Sequence, residues 1–213
     1  MTTTATTAKD LFLTAMDRRF APEVGQGDLS LALAGAELLD LLGARALTLD
    51  GDRVVPGAAA ALGDVLLDEA SAALVRQPPY EQVEDWLWRR GRDLAAAYRR
   101  ALQADGGLSA RRSGRLGLGA VRVEPVDSPA RERAAARLEA AEPVLGALAA
   151  AIGIGIAADT EAGQAAVPAA AALEDEPVTT VLAAVMDAVM ELEAVRRRRS
   201  IEEAAFANIW RAP

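Results

Sequence analysis

Residues 28–42 read DLSLALAGAELLDLL, and this stretch decides the fold. Leucine and alanine occupy most of its positions, so a helix here is apolar almost all round. Such a helix is buried rather than laid on a surface. Asp28 is read as its N-cap and Gly43 as the glycine just past its end, which predicts a helix over Leu29–Leu42. The rest of the composition supports packed helices. Hydrophobic residues make up 52% of the 213 positions but aromatics only 4%. The core is therefore built from Ala, Leu and Val, and Ala and Leu lead the helix-propensity scale.

Working outward, residues 1–7 are Thr-rich and read as a disordered tail. Lys9–Met16 reads as a short helix with Leu11, Phe12, Leu13 and Met16 inward, and residues 17–26 as a loop. Asp50-Gly51 is a tight-turn signal, predicting a small hairpin of residues 46–49 with 53–56. Residues 60–76 read as helix, stopped by Gln77-Pro78-Pro79. Residues 81–104 keep helical periodicity, with Gly91 as a break point. Residues 108–124 read as a second hairpin turning near Arg111-Arg112-Ser113-Gly114. Helices follow over 129–158, divided at Pro143, and over 178–210, with a break near Ser200. The apolar run Val144–Ala158 is 15 residues long, shorter than the roughly 20 a span requires, and reads as a buried helix. No linker cuts the chain, which predicts one domain over residues 8–213. The expected class is mainly α: a single-domain helical bundle with a protruding β-hairpin.

The chain contains neither cysteine nor histidine. Disulfides, thiolate chemistry, zinc sites of Cys and His, and Ser-His or Cys-His nucleophile pairs are thereby removed. Paired acids such as Asp68-Glu69 and Glu174-Asp175-Glu176 stand in no catalytic or metal-binding motif. No catalytic residue, metal or cofactor is expected. Lys9 is the single lysine against 22 arginines, a balance that points to a GC-rich bacterial genome. The start of the chain lacks the basic and apolar pattern of a signal peptide, so a cytoplasmic location is expected.

Net charge is −8, which disfavours nonspecific binding to nucleic acid or to anionic lipid except through a local basic face, and no nucleic-acid partner is expected. Residues 89–115 depart from that balance. They hold Arg89, Arg90, Arg92, Arg99, Arg100, Arg111, Arg112 and Arg115 against Asp93 and Asp105, a local charge of +6. Arginine's planar fork suits phosphate oxygens. Two readings stay open: an anion-binding face, or a solvated face paired with acids elsewhere. Trp86 and Trp88 precede the run about 200° apart on a helix, so they cannot both face the core. Two readings stay open: one of them is an interfacial anchor, or one is a core residue and the other merely partly exposed, the second being favoured. Arg196–Arg199 is a second basic run, read as C-terminal helix charge.

Three segments together resemble the Golgi phosphoprotein 3 family. They are residues 11–49, with LFLTAMD at the start and AGAELLDLL in the helix; GDVLLDEA at 63–70 followed by Gln77-Pro78-Pro79 and Trp86; and the helix-then-hairpin order from Tyr98 to Pro125. The resemblance implies a helical domain with a β-hairpin. It also implies a peripheral membrane adaptor that binds phosphatidylinositol 4-phosphate, and in eukaryotic members glycosyltransferase tails. The family's headgroup pocket, one tryptophan and three arginines, falls at Gly25, Ala34, Arg92 and Ala95, of which Arg92 alone keeps the residue type. Arg89, Arg90 and Arg99 are the further candidates for the headgroup site. The hairpin implied in self-association carries Arg111, Arg112, Arg115 and Leu116. The expectation is an adaptor rather than an enzyme, cytoplasmic and peripheral at the inner face of a membrane. Its expected partners are an anionic phospholipid headgroup, a protein and a second copy of the chain. The alternative is a cytosolic scaffold without lipid binding.

Overall fold

In the computed structural model, residues 5–20, 24–58, 61–112, 121–155 and 175–209 are described. The central element is α2 (Gln26–Gly43), whose residues Leu29–Leu39 and Leu41 are all buried. It packs against α1 (Thr7–Met16), α3 (Val65–Ala72), α4 (Val83–Arg90), α5 (Leu94–Ala104), α7 (Pro143–Ala151) and α8 (Glu176–Ile209). Among the described residues the remaining helix, α6 (Pro129–Glu139), packs on α1. Small residues set how closely the helices approach. A Cβ on Gly35 would fall 2.3 Å from Cγ2 of Val185, so the α2–α8 crossing depends on that glycine. Between α1 and α5, Phe12 stacks on Tyr98 with ring centroids 6.0 Å apart.

Among the described residues, two antiparallel hairpins complete the fold. β1 (Leu47–Asp50) pairs with β2 (Arg53–Pro56), with Asp50 opposite Arg53. β3 (Leu108–Arg112) pairs with β4 (Val121–Pro125), with Leu108 opposite Pro125 and Arg112 opposite Val121. The class is therefore mainly α with a β-hairpin, as the sequence predicts.

Several boundaries differ from the expected ones. Helix α2 begins before Asp28: Gly25 is its N-cap, and Asp28 lies in the first turn. An acid there meets the positive end of the helix dipole as well as a cap does. At the other end, Gly43 is the last helical residue, and Arg45 takes the left-handed conformation with φ 55°. The N–H of Ala46 donates to the Leu41 carbonyl and that of Arg45 to Leu42, which closes the helix in a Schellman motif. Helix α1 starts earlier than expected because Thr6 caps it, accepting from Lys9 N; residues 1–4 lie outside the described residues.

The helix expected over 60–76 is only Val65–Ala72. Asp64 starts it by accepting from the N–H groups of Leu66 and Leu67, both at 3.1 Å. Helix α8 runs through Ser200 without a break. The expected break at Gly91 is present, between α4 and α5. A Cβ at Gly91 would sit 2.5 Å from the Leu87 carbonyl and 3.3 Å from that of Ser30, so only glycine lets the chain turn this close to α2. The Pro143 division is also present, between α6 and α7.

A layer of buried charge ties the helices together. Asp10 on α1, fully buried, accepts from Arg133 at 3.0 Å and Arg137 at 2.7 Å on α6. Lys9 pairs with Asp64. Asp40 on α2 accepts from the free N–H groups of Thr7 and Ala8 at the start of α1, at 2.9 and 3.0 Å. These contacts satisfy polar groups that would otherwise be costly in the core. Burial pushes the Asp40 carboxyl above its ordinary range, and those two N–H groups oppose the shift.

Candidate anion-binding site

The chain between α4 and α5 is the short turn Gly91-Arg92-Asp93, held against the first turns of α2. Asp93 takes a left-handed conformation with φ 54° and makes no cap hydrogen bond. Ser30 of α2 supplies one instead, its hydroxyl accepting from the N–H of Ala95 at 3.1 Å. The turn is thus fixed to α2 by a side chain far away in sequence. A pocket of about 260 Å³ opens beside it. Gln26 and Gly27 of α2, Trp88 of α4, Gly91 and Arg92 of the turn, and Leu192 of α8 line it, with Ser30, Leu31 and Asp93 completing the wall.

The four arginines proposed from sequence meet different fates. Arg92 is exposed and has no ion-pair or hydrogen-bond partner among the described residues. Arg89 is occupied: its Nε donates to Glu81 Oε1 at 2.6 Å and its Nη2 to Oε2 at 2.7 Å. It also donates to the Ala73 carbonyl and lies over the Trp86 ring at 5.2 Å. The hydrogen bonds to Glu81 raise its pKa further, which keeps it charged and held. Arg90 points inward. Its Nε and Nη2 donate to Glu37 Oε2 and Oε1 at 2.7 and 2.9 Å, and Tyr98 donates to Oε1 at 3.2 Å. Burial pushes the Glu37 carboxyl up, and the Arg90 guanidinium opposes that shift. Arg99 is half-buried on α5, and its Nε finds no hydrogen-bond partner among the described residues.

Only Arg92 of the four lines the pocket. The two tryptophans divide as the helix angle requires. Trp86 is fully buried and donates to the Ala34 carbonyl at 3.1 Å, while Trp88 is half-buried at the pocket wall. Ala34 and Ala95, two of the positions implied by resemblance, are 0% and 1% exposed and so cannot touch a ligand. Gly25 is the N-cap of α2. Of the hairpin candidates, Arg111 and Arg112 lie on β3 opposite Arg122 and Val121. Arg115 and Leu116 lie outside the described residues.

A second cavity of about 340 Å³ opens where the end of α1 meets the base of the β3–β4 hairpin. Sequence reading missed it because its arginines are scattered along the chain. Here each of them is neutralised. Arg19 and Arg131 donate to Asp17 Oδ2 at 2.7 and 2.9 Å, and Arg18 lies 3.8 Å from Glu124. Burial pushes the Asp17 carboxyl up, but the hydrogen bonds from Arg19 and Arg131 outweigh it and hold it below the usual carboxylate range. Of the two cavities, the smaller one beside Arg92 is the one with an unspent cation.

No helix among the described residues is long and apolar enough to cross a membrane. A search of curated protein sequences returned no match. The family model described as Golgi phosphoprotein 3 (GPP34) matches residues 8–192, which takes in every residue of the pocket wall. The chain belongs to the Golgi phosphoprotein 3 (GPP34) family.

Proposed function

We propose that the chain is a peripheral adaptor that docks on anionic phospholipid through the pocket between α2, the α4–α5 turn and α8. One observation carries this reading: Arg92 is exposed and unpaired among the described residues, in a pocket walled by the half-buried Trp88. An indole at such a wall suits the boundary between water and headgroups. A guanidinium without an internal anion is free to meet a phosphate. The family's headgroup site includes the same arginine position, which supports the assignment.

Flotation with phosphatidylcholine vesicles tests it, with and without phosphatidylinositol 4-phosphate, at matched total charge and across a salt series. The chain is expected to float with the phosphoinositide vesicles, and Arg92→Ala to lose that partition. Equal, salt-sensitive binding to any anionic vesicle would replace the pocket with a nonspecific basic face.

A second reading is a scaffold without lipid binding. It is favoured by the burial of Ala34 and Ala95 and by the pairing of Arg89 and Arg90, which leave the pocket with less charge than the family pattern implies. Absence of flotation at low salt would select it. Self-association through the β3–β4 hairpin belongs to either reading, and deleting residues 109–121 tests it by light scattering.

A further inference from the structure

Arg92 alone is too little for a specific phosphate site, because a dianionic ester is held by several charge-assisted hydrogen bonds. A second cation, Arg196, lies against Gly27, which lines the pocket. Arg196 lies one turn along α8 from Leu192, which lines the pocket. Its guanidinium rests on the first turn of α2, in space left by two glycines. A Cβ on Gly27 would meet Arg196 Nη2 at 2.8 Å and Leu192 Cδ2 at 2.8 Å. A Cβ on Gly25 would meet Asp28 Oδ2 at 2.2 Å and Arg196 Nη1 at 3.3 Å.

The pair itself is lopsided. Nη1 of Arg196 donates to both Oδ1 and Oδ2 of Asp28, at 2.8 and 2.6 Å. Nη2, the nitrogen nearest Gly27, donates to no described residue. The Arg196 side chain is 44% exposed. A half-exposed arginine held by one of its nitrogens exchanges one oxyanion for another at little cost, since such surface pairs are weak.

The geometry points to Arg196 as the second cation of this site. Arg196 and Arg92 together take a phosphate monoester over Gly27, and Asp28 is the internal anion that holds Arg196 against Gly27 until the ligand displaces it. This rests on the reading of the pocket as an anion site. Arg196 lies beyond residue 192, where the family match ends. The monoester is either a lipid headgroup or a soluble ester, which share the same chemistry.

The test uses the full chain and two probes: inositol 4-phosphate in solution by calorimetry, and phosphatidylinositol 4-phosphate vesicles by flotation. Arg196→Ala is expected to weaken binding about tenfold. Asp28→Asn frees Arg196 and removes a charge that repels the ligand, so it is expected to tighten binding. The double variant is expected to fall back to the level of Arg196→Ala. A merely structural pair behaves otherwise: both single variants lower the urea midpoint and leave affinity unchanged, which would overturn the inference. If Arg92→Ala abolishes binding and Arg196→Ala does not change it, the pocket reading stands and the role of Arg196 falls. If the parent chain binds neither probe, both fall. Equal binding of the two probes identifies a soluble ester as sufficient, and binding to vesicles alone identifies the lipid; in either case the two-arginine site is supported when Arg196→Ala weakens that binding.

Discussion

Arg90 closes α4 with its guanidinium turned into the core, on the fully buried Glu37, while Arg92, two residues later, stands exposed beside the pocket. The residue type, the neighbours in sequence and the local charge are nearly the same. What differs is the partner each meets. Arg90 faces α2 where a carboxylate waits, and Arg92 falls in a turn that faces Gly27 and Trp88. A cluster of like charges in a sequence is therefore a poor guide to a binding face. The informative quantity is the charge left over once internal pairs are made, and in this cluster Arg92 lines the pocket with its charge unspent.

The largest expected effect tests that contrast. Arg90→Ala leaves Glu37 as an unpaired buried carboxylate and is expected to cost about 3–5 kcal/mol in urea unfolding. The same truncation at Arg92 is expected to stay within about 0.5 kcal/mol. Similar losses at the two positions would break the comparison, since Arg92 would then have a structural partner.

Next in size is Gly35→Ala. The added methyl meets Val185 Cγ2 and is expected to cost about 1–3 kcal/mol, the usual range for overpacking. Because α8 also carries Leu192 over the pocket, vesicle partition is expected to fall along with the urea midpoint. A midpoint that falls while partition holds would separate the pocket from the α2–α8 crossing.

The smallest effect belongs to the other cavity, whose arginines behave like Arg90. Asp17→Asn is expected to cost about 1–2 kcal/mol at neutral pH. The folded state holds Asp17 below its unfolded pKa of about 3.9. Its contribution is therefore present above that pH and fades as pH falls through it and below. The difference between parent and variant is expected to shrink over that acid range; a constant difference would assign Asp17 to shape rather than charge.

Local features were legible before the fold was seen. The apolar helix over 29–42, the Asp50-Gly51 hairpin, the break at Gly91 and the division at Pro143 all follow from backbone and burial preferences within a few residues. Errors at helix ends came from competition among several local caps. Asp28 is a good N-cap, but the helix continues to Gly25 because Asp28 serves equally well inside the first turn, where Arg196 reaches it. The helix expected over 60–76 was too long because Asp64 starts a shorter one. Of the site, Arg92 was visible in the sequence, and so was the division of the two tryptophans, though not that Trp88 is the exposed one; Arg196 was read only as terminal helix charge.

By itself the sequence determined the class of the fold, the places where its helices break, and the chemistries closed to a chain without cysteine or histidine. Only the tertiary structure decided which arginines remain available. Glu37 and Arg90 are 53 residues apart, and Asp28 and Arg196 are 168 apart. Such pairs form when crossing helices bring side chains within hydrogen-bond reach, and no periodicity along one segment encodes which charge will stand opposite.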